Sequence, residues 1–303
     1  MKKHHFLALF LVFLTFFGQL SAQNSSKIRK NIKFLQKEQT FKNSVTAILV
    51  INEKGKTVAS WNPDMPLLTA STMKTITTGL SLNLLGPDFK FTTKIAYTGF
   101  IKDSVLYGNV VIIGGGDPTL GSKDTVAIPI DTVFSQWTGF IKKAGINKIT
   151  GSIVADDRFF ENEPMPESWS WGNLGASYGS APSGLSFCEN IQSINVVPGN
   201  NTGDTVQIKD IYPIVPKMTY SLKSAITANV RGNRLSYFTS DLARKGEFKG
   251  YLPNDGKTYN VSGSNKFPAL SCAYHFREFL LKNGVESSPE ILYAYDLKGN
   301  SDF

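Results

Sequence analysis

The sequence predicts an α+β fold on three observations. The chain up to Phe89 reads helix, strand, strand, helix; a long stretch from Lys90 breaks into short β-prone runs separated by Gly, Asn and Pro; helical periodicity then returns near the end. Ile28, Ile32 and Leu35 recur at helical spacing, with Phe34 widening the apolar face, which predicts an amphipathic helix over 26–41. The apolar run 45–51, the turn cluster Asn52-Glu53-Lys54-Gly55 and the run 56–61 predict a hairpin. A second helix is predicted over 71–85, with Met73, Ile76, Leu80 and Leu84 on one face packing into a core and Gly86-Pro87 as its stop. Strands are expected over 91–97, 106–113, 149–155, 191–197, 205–208, 225–230 and 234–239, interrupted by one helix over 131–144. Residues 268–283 read as a helix and 289–295 as a further strand. No repeat of fixed period is visible.

Composition narrows the function classes. With 41% hydrophobic and 18% charged residues the chain is too apolar to be disordered as a whole. Lys2, Lys3, His4 and His5 precede an apolar run over 6–17 and a Leu20-Ser21-Ala22 cleavage site, so residues 1–22 read as a secretory signal peptide. The apolar run is shorter than the roughly 20 residues of a membrane span, so none is expected after cleavage. The segment contains two lysines and no acid, and its removal lowers the net charge from +8 to +6. The remaining cations are scattered without a basic-aromatic stripe, which argues against a nucleic-acid partner. Cys188 and Cys272 remain in an oxidising compartment, where a disulfide and two separately buried thiols both fit the sequence.

Of three histidines only His275 survives cleavage, so a histidine-rich metal site is excluded and nucleophilic chemistry needs another base. Ser71-Thr72-Met73-Lys74 is the one Ser-x-x-Lys in the chain. Residues three apart share a helix face, so the hydroxyl and the amine can come within reach of each other. A lysine with its ordinary pKa of about 10.4 is protonated at neutral pH and must be desolvated to act as a base; a partly buried Lys74 on a core-packed helix would meet that need. Ser71 in the first turn would also direct backbone amides at a developing oxyanion. About two such motifs are expected by chance in a chain of this composition, so the motif alone is weak.

The surroundings add weight. Residues 66–74 and Leu84-Leu85-Gly86-Pro87-Asp88-Phe89 are followed by Gly114-Gly115-Gly116-Asp117-Pro118-Thr119-Leu120, by 151–157, and by Trp169 with Tyr178-Gly179-Ser180-Ala181-Pro182 leading to Asn190. Together they closely resemble the class C low-molecular-mass penicillin-binding proteins, the periplasmic D-alanyl-D-alanine carboxypeptidases/endopeptidases. The resemblance implies a transpeptidase/β-lactamase-like domain split by a large β-rich insertion. The expected divisions are 1–22 signal, 23–89 first part of that domain, 90–266 insertion, and 267–303 the start of the return. It implies Ser71 as the acylated nucleophile and Lys74 as the proton-transfer base, peptidoglycan stem peptides as substrates, β-lactams as acylating inhibitors, a periplasmic location, and no metal or organic cofactor.

The family's Ser-x-Asn and Lys-Thr-Gly motifs are not matched. Ser81-Leu82-Asn83 lies farther along the same helix, Ser193-Ile194-Asn195 falls in a strand-like run, and no Lys-Thr-Gly occurs. The expectation is a C-terminally truncated chain that acylates slowly if at all; the alternative is an inactive envelope protein of the same fold that binds peptidoglycan or a protein partner. Gly175-Ala176-Ser177-Tyr178-Gly179 fits a nucleophile elbow, but the strand before and the helix after are missing from the pattern. Tyr107-Gly108-Asn109 reads as a structural turn. Adjacent Asp156 and Asp157 point to opposite sides of a strand, which suits a turn or interface role and not a catalytic pair.

Overall fold

The computed structural model describes residues 25–160, 165–227 and 230–297. The expected signal peptide lies outside the described residues. The chain forms two compact units that divide between Phe89 and Lys90.

In the first unit the helix expected over 26–41 is broken in two, α1 at residues 25–35 and α2 at Gln39–Lys42. Strands β1 (Ile48–Ile51) and β2 (Thr57–Trp61) form the expected antiparallel hairpin. Its turn is tied by the Asn52 side chain, which accepts the backbone N–H groups of Lys54 and Lys56 at 3.0 and 2.9 Å. A 3₁₀ turn at Ala70–Thr72 then leads into α3 (Met73–Leu85). The apolar face expected to pack in a core does not: Met73, Ile76 and Leu80 are 45%, 62% and 55% exposed, and α3 buries no residue. Among the described residues of this unit the buried hydrophobics are Ile32 and Ala59, too few to form a layer over that face.

In the second unit a four-stranded sheet has the order β15-β8-β6-β3, built from β3 (Lys94–Tyr97), β6 (Val110–Ile113), β8 (Ile153–Asp156) and β15 (Ile291–Tyr293). β3 runs antiparallel to β6, while β8 is parallel to both β6 and β15. The run expected as one strand over 106–113 is two, because Gly108-Asn109 turns the chain between β5 (Val105–Tyr107) and β6; β5 lies between β4 (Phe100–Lys102) and β7 (Lys148–Ile149) in a smaller sheet. The helices α4 (Ile130–Lys143) and α6 (Pro268–Lys282) pack together, with Phe276 5.3 Å from Phe134 and 5.2 Å from Trp137 between ring centroids. The described part of the segment 267–303, expected to begin the return to the catalytic domain, packs into this core, where Phe276, Leu280 and Tyr293 are buried among Phe134, Ile141 and Ile153.

A second core lies between two three-stranded sheets. One has the order β10-β9-β14, formed by β9 (Ile191–Val197), β10 (Gln207–Tyr212) and β14 (Tyr259–Ser264). The other has the order β11-β13-β12, formed by β11 (Thr219–Ile226), β12 (Arg234–Ser240) and β13 (Ala243–Leu252). Alternate residues Ile194, Val196, Phe248 and Leu252 point inward, as the two-residue strand period requires. The short helix α5 (Trp171–Leu174) precedes a 3₁₀ turn at Ser177–Gly179.

Candidate active site

Ser71 is the middle residue of the 3₁₀ turn and Lys74 the second residue of α3, so one continuous helical path holds both. Ala70, just before, has φ of 44°, a left-handed conformation that costs a residue with a Cβ. Thr72 ties the turn down: its N–H and its hydroxyl both donate to the Thr69 carbonyl. Farther on, the hydroxyls of Thr77 and Thr78 donate to the Met73 and Lys74 carbonyls at 3.1 and 2.7 Å. The backbone around the pair is therefore well tied. The side chains are not: Ser71 and Lys74 are exposed, and among the described residues neither head group makes a hydrogen bond. The partly buried Lys74 expected from the sequence is corrected by the structure, for the same reason that the α3 face is bare.

The other marked residues are structural. Ser81 and Asn83 lie on α3 itself. Ser193 and Asn195 sit on β9, where their side-chain oxygens accept from the Asn260 amide at 2.7 and 2.9 Å. Ser177 follows a helical turn and not a strand, so no elbow forms. Asn109 accepts the Ser152 N–H at 2.8 Å, and Asn190 donates to the Ala181 carbonyl at 2.8 Å. Asp156 is buried and grips Arg158 with both oxygens at 2.8 Å, and this hydrogen-bonded guanidinium holds its carboxyl below the usual range. Asp157 turns the other way, and its burial raises its pKa.

The glycine-rich motif has a packing reason. A Cβ on Gly114 would lie 2.1 Å from the Gly184 carbonyl oxygen, and Gly116 has φ of 78° with Phe160 2.9 Å from where its Cβ would be. Gly114→Ala is expected to cost about 1–3 kcal/mol, as overpacking against backbone does; an unchanged urea midpoint would contradict that close approach.

Both cysteines are free thiols in the structure. Burial pushes the Cys188 thiol up to about 12 and the Cys272 thiol well above its ordinary value, so neither is a ready thiolate. His275 is partly buried against Phe187 and Tyr212, and its Nε2 accepts the Ile214 N–H at 2.9 Å. Burial lowers its pKa to about 4; nearby Glu278 pushes the other way and Lys282 adds to the fall. Between about pH 6.5 and 4 the unfolded chain therefore takes a proton that the folded chain refuses, and stability falls as pH falls through that window. The expected loss through this histidine is about 2 kcal/mol after allowance for solvent screening. His275→Gln, whose amide oxygen can accept the same N–H, should flatten the pH dependence of the urea midpoint across that window. An unaltered profile would refute the assignment.

Two crystal structures of penicillin binding protein 4 from Haemophilus influenzae share the fold. The first gives a TM-score of 0.65 at 23% identity, over 82% of this chain and 52% of that one. The second, complexed with a novel β-lactam, gives 0.57 at 21%, over 79% and 48%. In sequence, D-alanyl-D-alanine carboxypeptidase DacB of Haemophilus influenzae is 27% identical over 151 residues, 50% of this chain and 30% of its own length. The D-alanyl-D-alanine carboxypeptidase of Actinomadura sp. strain R39 is 25% identical over 150 residues, 49% of this chain and 26% of its own. The profile of the D-Ala-D-Ala carboxypeptidase 3 (S13) family matches residues 28–301, and the chain belongs to that family. It spans about half the length or less of the relatives it matches. Among the described residues no helix is long and apolar enough to cross a membrane.

Proposed function

We propose that the protein is a serine-type D-Ala-D-Ala carboxypeptidase/endopeptidase that acts on peptidoglycan stem peptides in the periplasm after removal of residues 1–22. The observation that carries this reading is Ser71 and Lys74 set one turn apart at the exposed start of α3, in a chain of the S13 family. In the proposed reaction the neutral Lys74 amine takes the Ser71 proton as Oγ attacks the carbonyl of the penultimate D-alanine. The C–N bond breaks, the proton passes to the leaving amine, and water then hydrolyses the ester. β-Lactams would acylate the same oxygen.

This reading requires the bare α3 face to be covered in the acting enzyme, because an amine left in water is already protonated at neutral pH and has no lone pair to take the serine proton. A second reading, an inactive envelope protein of the same fold that binds peptidoglycan, draws its support from the absence of Lys-Thr-Gly within these 303 residues. The test labels the natural protein with fluorescent penicillin in its own cells and maps the adduct by digestion and mass spectrometry. The adduct is expected on the peptide that carries Ser71. An adduct on another serine overturns the catalytic assignment, and an absence of label supports the inactive reading.

A further inference from the structure

A cavity of about 320 Å³ opens in the second unit where the end of β8, the β12–β13 turn and the approach to α6 meet; its walls include Asp157, Asp241, Asn265, Lys266 and Tyr295. Its volume is at the lower end of small-ligand sites. Two of its charged groups are partly buried and, among the described residues, neither is in a direct ion pair. Asp157 is partly buried, and among the described residues its carboxylate forms no ion pair. Lys266 is also partly buried. Its amine donates one hydrogen bond, 2.7 Å, to the Gly179 carbonyl, stands 6.0 Å from the centre of the Trp169 ring, and likewise forms no ion pair.

Burial raises the Asp157 pKa and lowers that of Lys266 to about 8, while Asp241 opposes the Lys266 shift from a distance. Both shifts follow mainly from partial burial, offset in part by Arg158 at Asp157 and by Asp241 at Lys266. Arg158, which also lines the cavity, is bound in a two-pronged pair to Asp156 and offsets the Asp157 shift only in part. A wall holding an unpaired carboxylate and an unpaired amine, not bonded to each other, complements a ligand that brings one charge of each sign.

We propose that this cavity is a binding site for a small zwitterion, an amino acid or short peptide whose free ammonium meets Asp157 and whose free carboxylate meets Lys266. The proposal does not depend on the Ser71 chemistry. A ligand with one end blocked leaves one of the two charges as it was, so both ends contribute to recognition.

The test titrates the unmodified 303-residue chain with alanyl-alanine of either hand, followed by nuclear magnetic resonance of the ligand and by calorimetry. Four forms are compared: free dipeptide, N-acetylated, C-amidated and doubly blocked. The free form is expected to bind at least tenfold more tightly than either singly blocked form, with the doubly blocked form weakest. Asp157→Asn should erase the difference between the free and acetylated forms, and Lys266→Met the difference between the free and amidated forms. Each variant is checked for an unchanged unfolding midpoint. Equal binding of all four forms, or no binding of the free dipeptide at about 10 mM, which corresponds to less than about 2.7 kcal/mol of binding free energy, overturns the proposal without any variant being made.

Discussion

Alanine at Lys74 is expected to slow acylation by penicillin about 10²–10⁴-fold, the usual contribution of a positioned general base, and alanine at Ser71 to abolish it. The two residues do different work in the proposed step. Ser71 supplies the oxygen that becomes the ester, whereas Lys74 supplies only a place for the proton, so its loss lowers the rate and leaves the site of labelling unchanged. Lys74→Arg separates a base from a mere positive charge. A guanidinium keeps the charge and reaches a similar distance but does not give up its proton at any workable pH. It should therefore be about as slow as alanine. An arginine variant that acylates at the parent rate would show that Lys74 acts by its charge, and the proton acceptor would have to be found elsewhere. The measurement is a time course of fluorescent penicillin labelling on the natural protein.

The fold was legible where local chemistry decides the outcome. The Asn52 turn, α4 between its charged ends, the full extent of β9 and the proline start of α6 all follow from short-range rules of capping, alternation and turn geometry. Where partners are distant the pattern misleads. β13 looks like a loop because Lys245, Glu247 and Lys249 interrupt it and two of its core-side positions are glycines. In the sheet Phe248 and Leu252 are buried, Tyr237 lies over Gly246, and Glu247 pairs with Lys223 and Lys249 on the outer face. A glycine beneath an aromatic ring carries no hydrophobic signal although it faces the core. The same limit applies to the sites. Ser71 and Lys74 are neighbours in sequence and could be paired on helical geometry alone, whereas Asp157 and Lys266 share a cavity only because β8 and α6 pack in one unit.

Replacing Phe276 with alanine is expected to cost the second unit about 3–5 kcal/mol, while Leu80→Ala on α3 should change stability by no more than about 0.5 kcal/mol. In sequence the two residues look alike, each on the apolar stripe of a helix that also carries polar residues. Their surroundings differ. Phe276 is fully buried and touches the rings of Phe134 and Trp137, so truncation removes the transfer energy of a phenyl group and leaves a cavity that these two packed rings cannot close. Leu80 is 55% exposed and belongs to a helix with no buried residue, so alanine takes little from it and improves helix propensity. Urea unfolding of the 303-residue chain, followed by fluorescence in the Trp137 environment and by far-ultraviolet circular dichroism, measures both. A large loss in Leu80→Ala would mean that the α3 face is covered in solution, and that Lys74, on the same helix, is less exposed than the structure places it. A small loss in Phe276→Ala would mean that α6 is not the keystone of the first core, and the placement of 267–297 in the second unit would fall with it.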